Sequence, residues 1–133
     1  MVRTADTEGA WSLIELTLRP GAKGASPHWH AKGSETLFVI EGMLDVALEG
    51  EERRLYSGEV MVIPPGHLHS FANGSYDDVR ILMHSAHLDL EPYYHGLGRM
   101  LDETVTREDW EHYAKAYDVL YGPSAISLAA GSV

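Results

Sequence analysis

An all-β barrel with a short C-terminal helical tail is the fold class that this sequence predicts, and three observations predict it. Between residues 10 and 85, apolar and polar residues alternate in short runs. Gly, Pro, Asn and Asp clusters interrupt these runs about every 8–12 residues, as a barrel or sandwich requires. After residue 88 the alternation gives way to helical spacing, so helices are expected only there.

Residues 11–18 alternate and read as a strand that Pro20-Gly21 ends. A strand through residues 28–30 follows, then a turn over 31–34 with Gly33 supplying flexibility, then an apolar strand over 36–40. Glu41-Gly42 makes a tight turn. In residues 43–48, Leu44, Val46 and Leu48 share one face and Met43, Asp45 and Ala47 the other. Strands over 53–56, 60–63, 67–71 and 79–84 complete the series. Gly42, Gly58 and Gly66 are expected to carry positive φ at turns, and Pro64-Pro65 to set the entry to the His69 strand. Asn73 is expected to bond a turn backbone.

The tail reads differently. Residues 91–101 suggest a helix weakened by Gly96 and Gly98. Thr106 and Asp109 form a capping-box pattern, and Trp110, Tyr113, Ala114 and Tyr117 fall on one helical stripe before Gly122-Pro123 stops it. The chain therefore divides into a barrel over residues 1–88, a helical extension of the same domain over 89–121, and a flexible tail over 122–133.

At 133 residues and 44% hydrophobic content, one domain with its own core is expected. The net charge of −10 disfavours nucleic acid and anionic membranes as partners, since both select basic patches. No apolar run is long enough to span a bilayer, and the first residues lack the apolar stretch of a signal peptide. A cytoplasmic location follows as the expectation. The absence of cysteine excludes disulfides and thiolate chemistry.

The chemistry concentrates in two short runs, residues 24–42 and 58–73. Between them they offer three imidazoles and a carboxylate: His28, His30, Glu35 and His69. Such nitrogen and oxygen donors suit one divalent transition metal, Fe, Mn, Ni, Co, Cu or Zn. His28 and His30 are two residues apart, so on a strand both side chains leave one face. A hairpin would return Glu35 beside them. His69 comes from a distant strand and joins them only if the sheet closes, as a half-open barrel does.

These two runs resemble the paired motifs of the cupin family. The first motif, G-x5-H-x-H-x(3,4)-E-x6-G, is matched by His28, His30, Glu35 and Gly42, with Ala22 in place of its leading glycine. The second, G-x5-P-x-G-x2-H-x3-N, is met by Gly58, Pro64, Gly66, His69 and Asn73. The resemblance implies a cupin jelly-roll β-barrel holding one metal on three histidines and one glutamate. Thr7-Glu8-Gly9-Ala10, Arg19-Pro20-Gly21 and the helical tail extend the similarity to a bacterial, quercetin-dioxygenase-like subgroup of small cupins.

Other residues are weighed against plainer roles. Phe38, Met43, Met61, His67, Phe71 and Met83 are candidates for pocket lining, with core packing as the commoner use of each apolar one. His67, two before His69, serves either as an acid or base near the metal or as a solvent-facing residue at the mouth, the latter favoured. Strand parity places His84 outside, and Trp29, between two ligands, points away from the metal. His87, His95 and His112 read as surface or interhelical residues. Tyr93 and Tyr94 either lid the mouth or attach the tail.

Four protein ligands leave one or two open positions, which catalysis needs and a closed structural site lacks. The expected function is a metal-dependent, dioxygenase-like enzyme acting on a small organic substrate, with Glu35 as a ligand that also accepts the substrate proton. A non-oxidative cyclase, isomerase or lyase using the metal as a Lewis acid is the alternative. A small-molecule-binding barrel without turnover is the third reading. Exposed sheet edges and the family resemblance point to a homodimer, with Trp11 or Trp29 in its buried surface.

Overall fold

The alternating segments pair into two antiparallel sheets that face each other. A computed structural model of the chain describes residues 1–88, 90, 93 and 106–121. The strands are β1 (Trp11–Leu18), β2 (Lys23–Trp29), β3 (Ser34–Glu41), β4 (Met43–Leu48), β5 (Glu51–Tyr56), β6 (Val60–Ile63), β7 (His69–Ala72), β8 (Val79–Ala86) and β9 (Leu120–Tyr121), with helix α1 (Arg107–Ala116) before β9. One sheet has the order β1-β8-β3-β6 and the other β5-β4-β7-β2-β9. This is a jelly roll, and the predicted fold class holds.

Period-two patterning decides what lies between the sheets. Leu37 and Val39 of β3, Leu44 and Val46 of β4, Met61 and Ile63 of β6, Phe71 of β7, and Val79, Ile81 and Met83 of β8 are buried and form one core. Burying each such side chain contributes roughly 1.5–3 kcal/mol. Phe71 is 2% exposed and sits so close to Gly24 that a Cβ there would overlap its ring. Phe71→Ala is expected to cost about 3–5 kcal/mol in a urea titration, the transfer term plus an unfilled cavity. A loss below about 1 kcal/mol would show that the sheets collapse onto the gap.

Turn chemistry follows the glycines. Gly42 joins β3 to β4 at φ 92, and a Cβ there would also approach the Asp78 carbonyl to 2.8 Å. Gly58 and Gly66 take φ 87 and 79 as expected. Asn73 is buried, its Nδ2 donating to the carbonyls of Leu18 (2.9 Å) and Asp77 (2.7 Å), which ties two loops together.

Three expectations need correction. A 3-10 turn at Thr4–Thr7 precedes the barrel, so helical backbone is not confined to the tail. It forms because Arg3 N donates to the Asp6 carboxylate at 2.9 Å and Trp11 N to Thr7 Oγ1 at 3.0 Å. The segment joining β2 to β3 is not a hairpin, because β2 pairs with β7 and β9 while β3 pairs with β8 and β6. It crosses from one sheet to the other. The tail is not helical through residue 121 either. The Thr106–Asp109 capping box starts α1 as expected, but Asp118 turns the chain at φ 58 and Leu120–Tyr121 adds a fifth strand beside β2. The helix expected over 91–101, with Tyr94, His95, Gly96 and Gly98, and the tail over 122–133 lie outside the described residues.

Trp11, 37% exposed, lies beside His84 on the outer face of the four-stranded sheet, ring centroids 5.5 Å apart, so His84 is exterior as parity predicts. Among the described residues no helix is long and apolar enough to cross a membrane.

Candidate metal centre

His28, His30, Glu35 and His69 are all buried, and one ligand atom from each lies within 4.8 Å of the others. The two sheets divide the task. β2 and β7 are neighbours in the five-stranded sheet and place His28 directly opposite His69. His30 follows β2 at its end. Glu35 enters from the facing sheet, on the inward row of β3 with Leu37 and Val39.

The His28–His69 pairing depends on two irregularities in β2. Lys23 pairs with Ala72, Ala25 with Phe71 and His28 with His69, with a register shift in each interval. Had the first register continued, Ser26 would face His69. One extra residue would turn β2 inside out; two restore the face and advance the histidine by one inward position.

Each histidine is oriented through its far nitrogen. Nδ1 of His28 donates to the Ser26 carbonyl (2.7 Å), Nδ1 of His69 to the His67 carbonyl (2.9 Å) and Nδ1 of His30 to the Asp118 carbonyl (2.7 Å). A carbonyl only accepts, so all three rings carry their proton on Nδ1 and present Nε2 to the cluster. His69 Nε2 lies 2.6 Å from Glu35 Oε2, and His30 Nε2 lies 3.4 Å from the same oxygen. With neutral rings these are lone pairs facing lone pairs, an arrangement that a proton or a cation relieves. His30 Nε2 and Glu35 Oε1 are also buried without a hydrogen-bond partner. Three aimed imidazole nitrogens, one carboxylate and two orphaned donor atoms therefore fit a divalent metal.

Electrostatics prepares the same donors. Burial, reinforced by the neighbouring His69, lowers the pKa of His28 to about 3, so the ring is neutral at pH 7. Burial opposes charge on Glu35, but the His30 and His69 rings beside it outweigh that and hold the carboxyl well below the usual carboxylate range. Burial likewise disfavours charge on His30, yet Glu35 beside it raises its pKa on balance.

Two residues of this site escaped the sequence reading. The Asp118 carbonyl orients His30, and its carboxylate accepts from the amides of Ala31 (2.9 Å), Lys32 (2.9 Å) and Gly33 (3.1 Å). Tyr121 pairs with His28 across β9 and β2, ring centroids 5.7 Å apart, and its hydroxyl is hydrogen-bonded to that of Tyr93 at 2.6 Å. Burial raises the Tyr121 phenol above its ordinary pKa. The available signal was Val119-Leu120-Tyr121, a β-prone triplet ahead of Gly122-Pro123.

Of the pocket-lining candidates, Met61, Phe71 and Met83 are buried on the inward rows. Phe38 is not: it lies three residues after Glu35 and occupies the opposite face of β3. Met43 likewise sits opposite the buried Leu44 and Val46. Strand parity excludes both from the cluster. His67 precedes β7, is half-buried, and has its ring Nδ1 3.1 Å from the Pro65 carbonyl. Its contact with the site is its backbone carbonyl, on His69. Tyr93 attaches the tail: it is buried, stacks on Tyr113 at 5.6 Å and accepts the Tyr113 hydroxyl on its carbonyl at 2.7 Å. His87 and His112 are exposed. A groove of about 550 Å³ lined by Asp45, Arg54, Tyr56, Ser70 and Ala72 opens on the outer face of the five-stranded sheet, away from the cluster.

Comparison with known proteins adds three likenesses. The family model for the cupin domain matches residues 14–85, more than half of the chain. A polyketide synthase, CurC, of Streptomyces cyaneus is 33% identical over 75 residues, 56% of this chain and 48% of that protein. Quercetin 2,3-dioxygenase of Bacillus subtilis is 28% identical over 128 residues, 88% of this chain and 38% of that protein. The chain thus spans less than half the length of these curated relatives. The crystal structure of a sugar phosphate isomerase from a cupin superfamily, from Silicibacter pomeroyi, superposes with a TM-score of 0.56 at 26% identity, covering 63% of this chain and 56% of that one.

Proposed function

The chain belongs to the cupin domain family, and from that premise we propose a metal-dependent enzyme that oxidises a small organic substrate with dioxygen. The observation that carries the metal-dependent part of this reading is the convergence of three Nδ1-protonated imidazoles and one carboxylate inside the barrel, while the oxidative part rests on the similarity to a quercetin dioxygenase. His28, His30, Glu35 and His69 would hold the metal. A divalent Fe, Mn, Ni, Co, Cu or Zn bound there supplies Lewis acidity and, for the redox-active members, access to dioxygen.

The chain's own residues do the rest. The neutral ring of His28 keeps its Nε2 lone pair available. Glu35 has Oε1 unengaged, which offers a carboxylate oxygen to the proton of an enolic or phenolic substrate. Met61, Phe71 and Met83 close the interior behind the cluster with apolar surface that excludes water. Tyr121, beside His28 and hydrogen-bonded to Tyr93, brings a phenol to the same place. The similarity to a quercetin dioxygenase along most of the chain supports the oxidative reading and the placement in a quercetin-dioxygenase-like subgroup.

The second reading is a non-oxidative isomerase, cyclase or lyase. It is favoured by the likeness to a sugar phosphate isomerase. Under it Glu35 moves a proton between two positions of one substrate, and dioxygen is not consumed.

An oxygen electrode separates the two with metal-loaded protein and a panel of flavonols, diketones and catechols. Oxygen uptake is expected with metal and substrate together. Glu35→Gln is expected to lower turnover by about 10²–10⁴-fold, because the amide accepts no proton. Product formed at an unchanged rate without oxygen would transfer the assignment to the non-oxidative reading.

A further inference from the structure

We infer that Asp118, which lies beyond the barrel strands, is the positioning residue for His30 and thereby sets the metal affinity of the cluster. The inference rests on the metal-binding reading above and goes beyond it, because Asp118 belongs to neither cupin motif.

The three histidines differ in how their rings are held. His28 and His69 donate Nδ1–H to the carbonyl two residues before them, so their orientation is local to their own segments. His30 donates to Asp118, 88 residues away. The same aspartate also grips the chain that follows His30. Its Oδ1 accepts from Ala31 N, and its Oδ2 accepts from Lys32 N and Gly33 N. Those residues carry the chain from the five-stranded sheet to Glu35 on the facing sheet. One residue therefore fixes the ring of one ligand and the connection to another.

The surroundings leave this arrangement little slack. Gly33 is buried against Leu88, and a Cβ there would overlap the leucine side chain. Asp118 sits in the left-handed region at φ 58, and its amide and that of Val119 donate to Lys115 and Ala114 at the end of α1. Past it, Leu120 and Tyr121 pair with Trp29 and His28. Helix, turn and strand deliver the Asp118 carbonyl to His30 as one unit. Holding the proton on Nδ1 keeps the His30 Nε2 lone pair aimed at the cluster and makes the ring a stronger donor.

The test substitutes Asp118→Gly, since glycine adopts φ 58 without strain and the carboxylate alone is lost. Co²⁺ is the probe, followed by its visible spectrum and by equilibrium dialysis. Affinity is expected to fall by about 10–100-fold, the range for residues that orient a ligand, with an altered Co²⁺ spectrum. Asp118→Asn, which keeps one acceptor oxygen and tolerates the left-handed turn, is expected to lie between. Asp109→Ala removes the capping box of α1 and so loosens the helix without touching His30; its Co²⁺ affinity is expected within about twofold of the parent, short of that 10–100-fold range. In the metal-free protein, the His30 Nδ1 proton is expected as a slowly exchanging ¹⁵N-bound resonance, and its exchange is expected to be faster in Asp118→Gly, which keeps the accepting carbonyl but frees the 31–33 segment that the carboxylate holds against it.

A parent protein that binds Co²⁺ and an Asp118→Gly variant that binds it equally well would overturn the inference and leave the metal reading standing. So would an Asp109→Ala variant as weak as Asp118→Gly, which would make the effect one of tail packing. A parent that binds no divalent metal would overturn the metal reading and the affinity claim with it. The positioning of His30 would then stand or fall on the proton resonance alone.

Discussion

Replacing His69 by Ala is expected to abolish high-affinity metal binding while leaving the jelly roll folded. His69 is the most constrained member of the cluster: its side chain is fully buried, its Nδ1 is committed to the His67 carbonyl, and its Nε2 lies 2.6 Å from Glu35. Losing it removes one donor and leaves the Glu35 carboxylate with His30 at 3.4 Å as its nearest imidazole partner. The affinity loss should exceed the about 10–100-fold expected of a residue that merely orients a ligand. The backbone of β7 remains paired with β2 and β4, so circular dichroism should retain the β signature. His84→Ala is the matched control, because His84 projects from the outer face beside Trp11. Its metal content should equal that of the parent. A His69→Ala protein with parental metal affinity would remove His69 from the ligand set.

Acid should unfold the metal-free protein from the site outward. The pKa of His28 falls from 6.5 to about 3 on folding. Below pH 6.5 the unfolded chain therefore binds a proton at His28 that the folded chain refuses, and stability declines as pH falls toward about 3. At about 1.4 kcal/mol per unit, the full effect is on the order of 5 kcal/mol. Glu35, also depressed by folding, adds to the loss below the usual carboxylate range. His30 works in the other direction. Its raised pKa contributes stability that is complete below 6.5 and disappears as pH rises through its folded value. The metal-free domain should thus be most stable near pH 6.5, with denaturant midpoints falling on both sides. Metal binding requires deprotonated donors, so saturating metal should shift that maximum upward. His28→Leu should flatten the acid limb. Equal midpoints at pH 6.5 and pH 4 would show that His28 is not held neutral by burial.

The strands and the ligand set were legible because both are written in short-range spacing. Residues 11–18 and 43–48 alternate and form strands with those bounds, as does the short apolar run 60–63. The Thr106–Asp109 box caps α1 for the same reason, since all its partners lie within one turn. Parity could have gone further. It places Phe38 and Met43 on the faces opposite Glu35 and Leu44, so their rejection as lining needed no coordinates. His67 is different: two residues from His69 it shares the parity of a ligand, and it leaves the site because β7 starts only at His69.

By itself, then, the sequence determined an all-β barrel, its turns and four metal-type donors, because alternation, positive-φ glycines and motif spacing act over a few residues. The tertiary structure alone decided that Glu35 reaches the histidines across facing sheets. It also decided that two register shifts bring His28 rather than Ser26 opposite His69. And it decided that Asp118 and Tyr121 return from the tail to complete the site. Those features depend on which strands pair and where a helix turns back. Such choices are set by the burial of whole faces against one another, a property of the assembled sheets that no local run of residues contains.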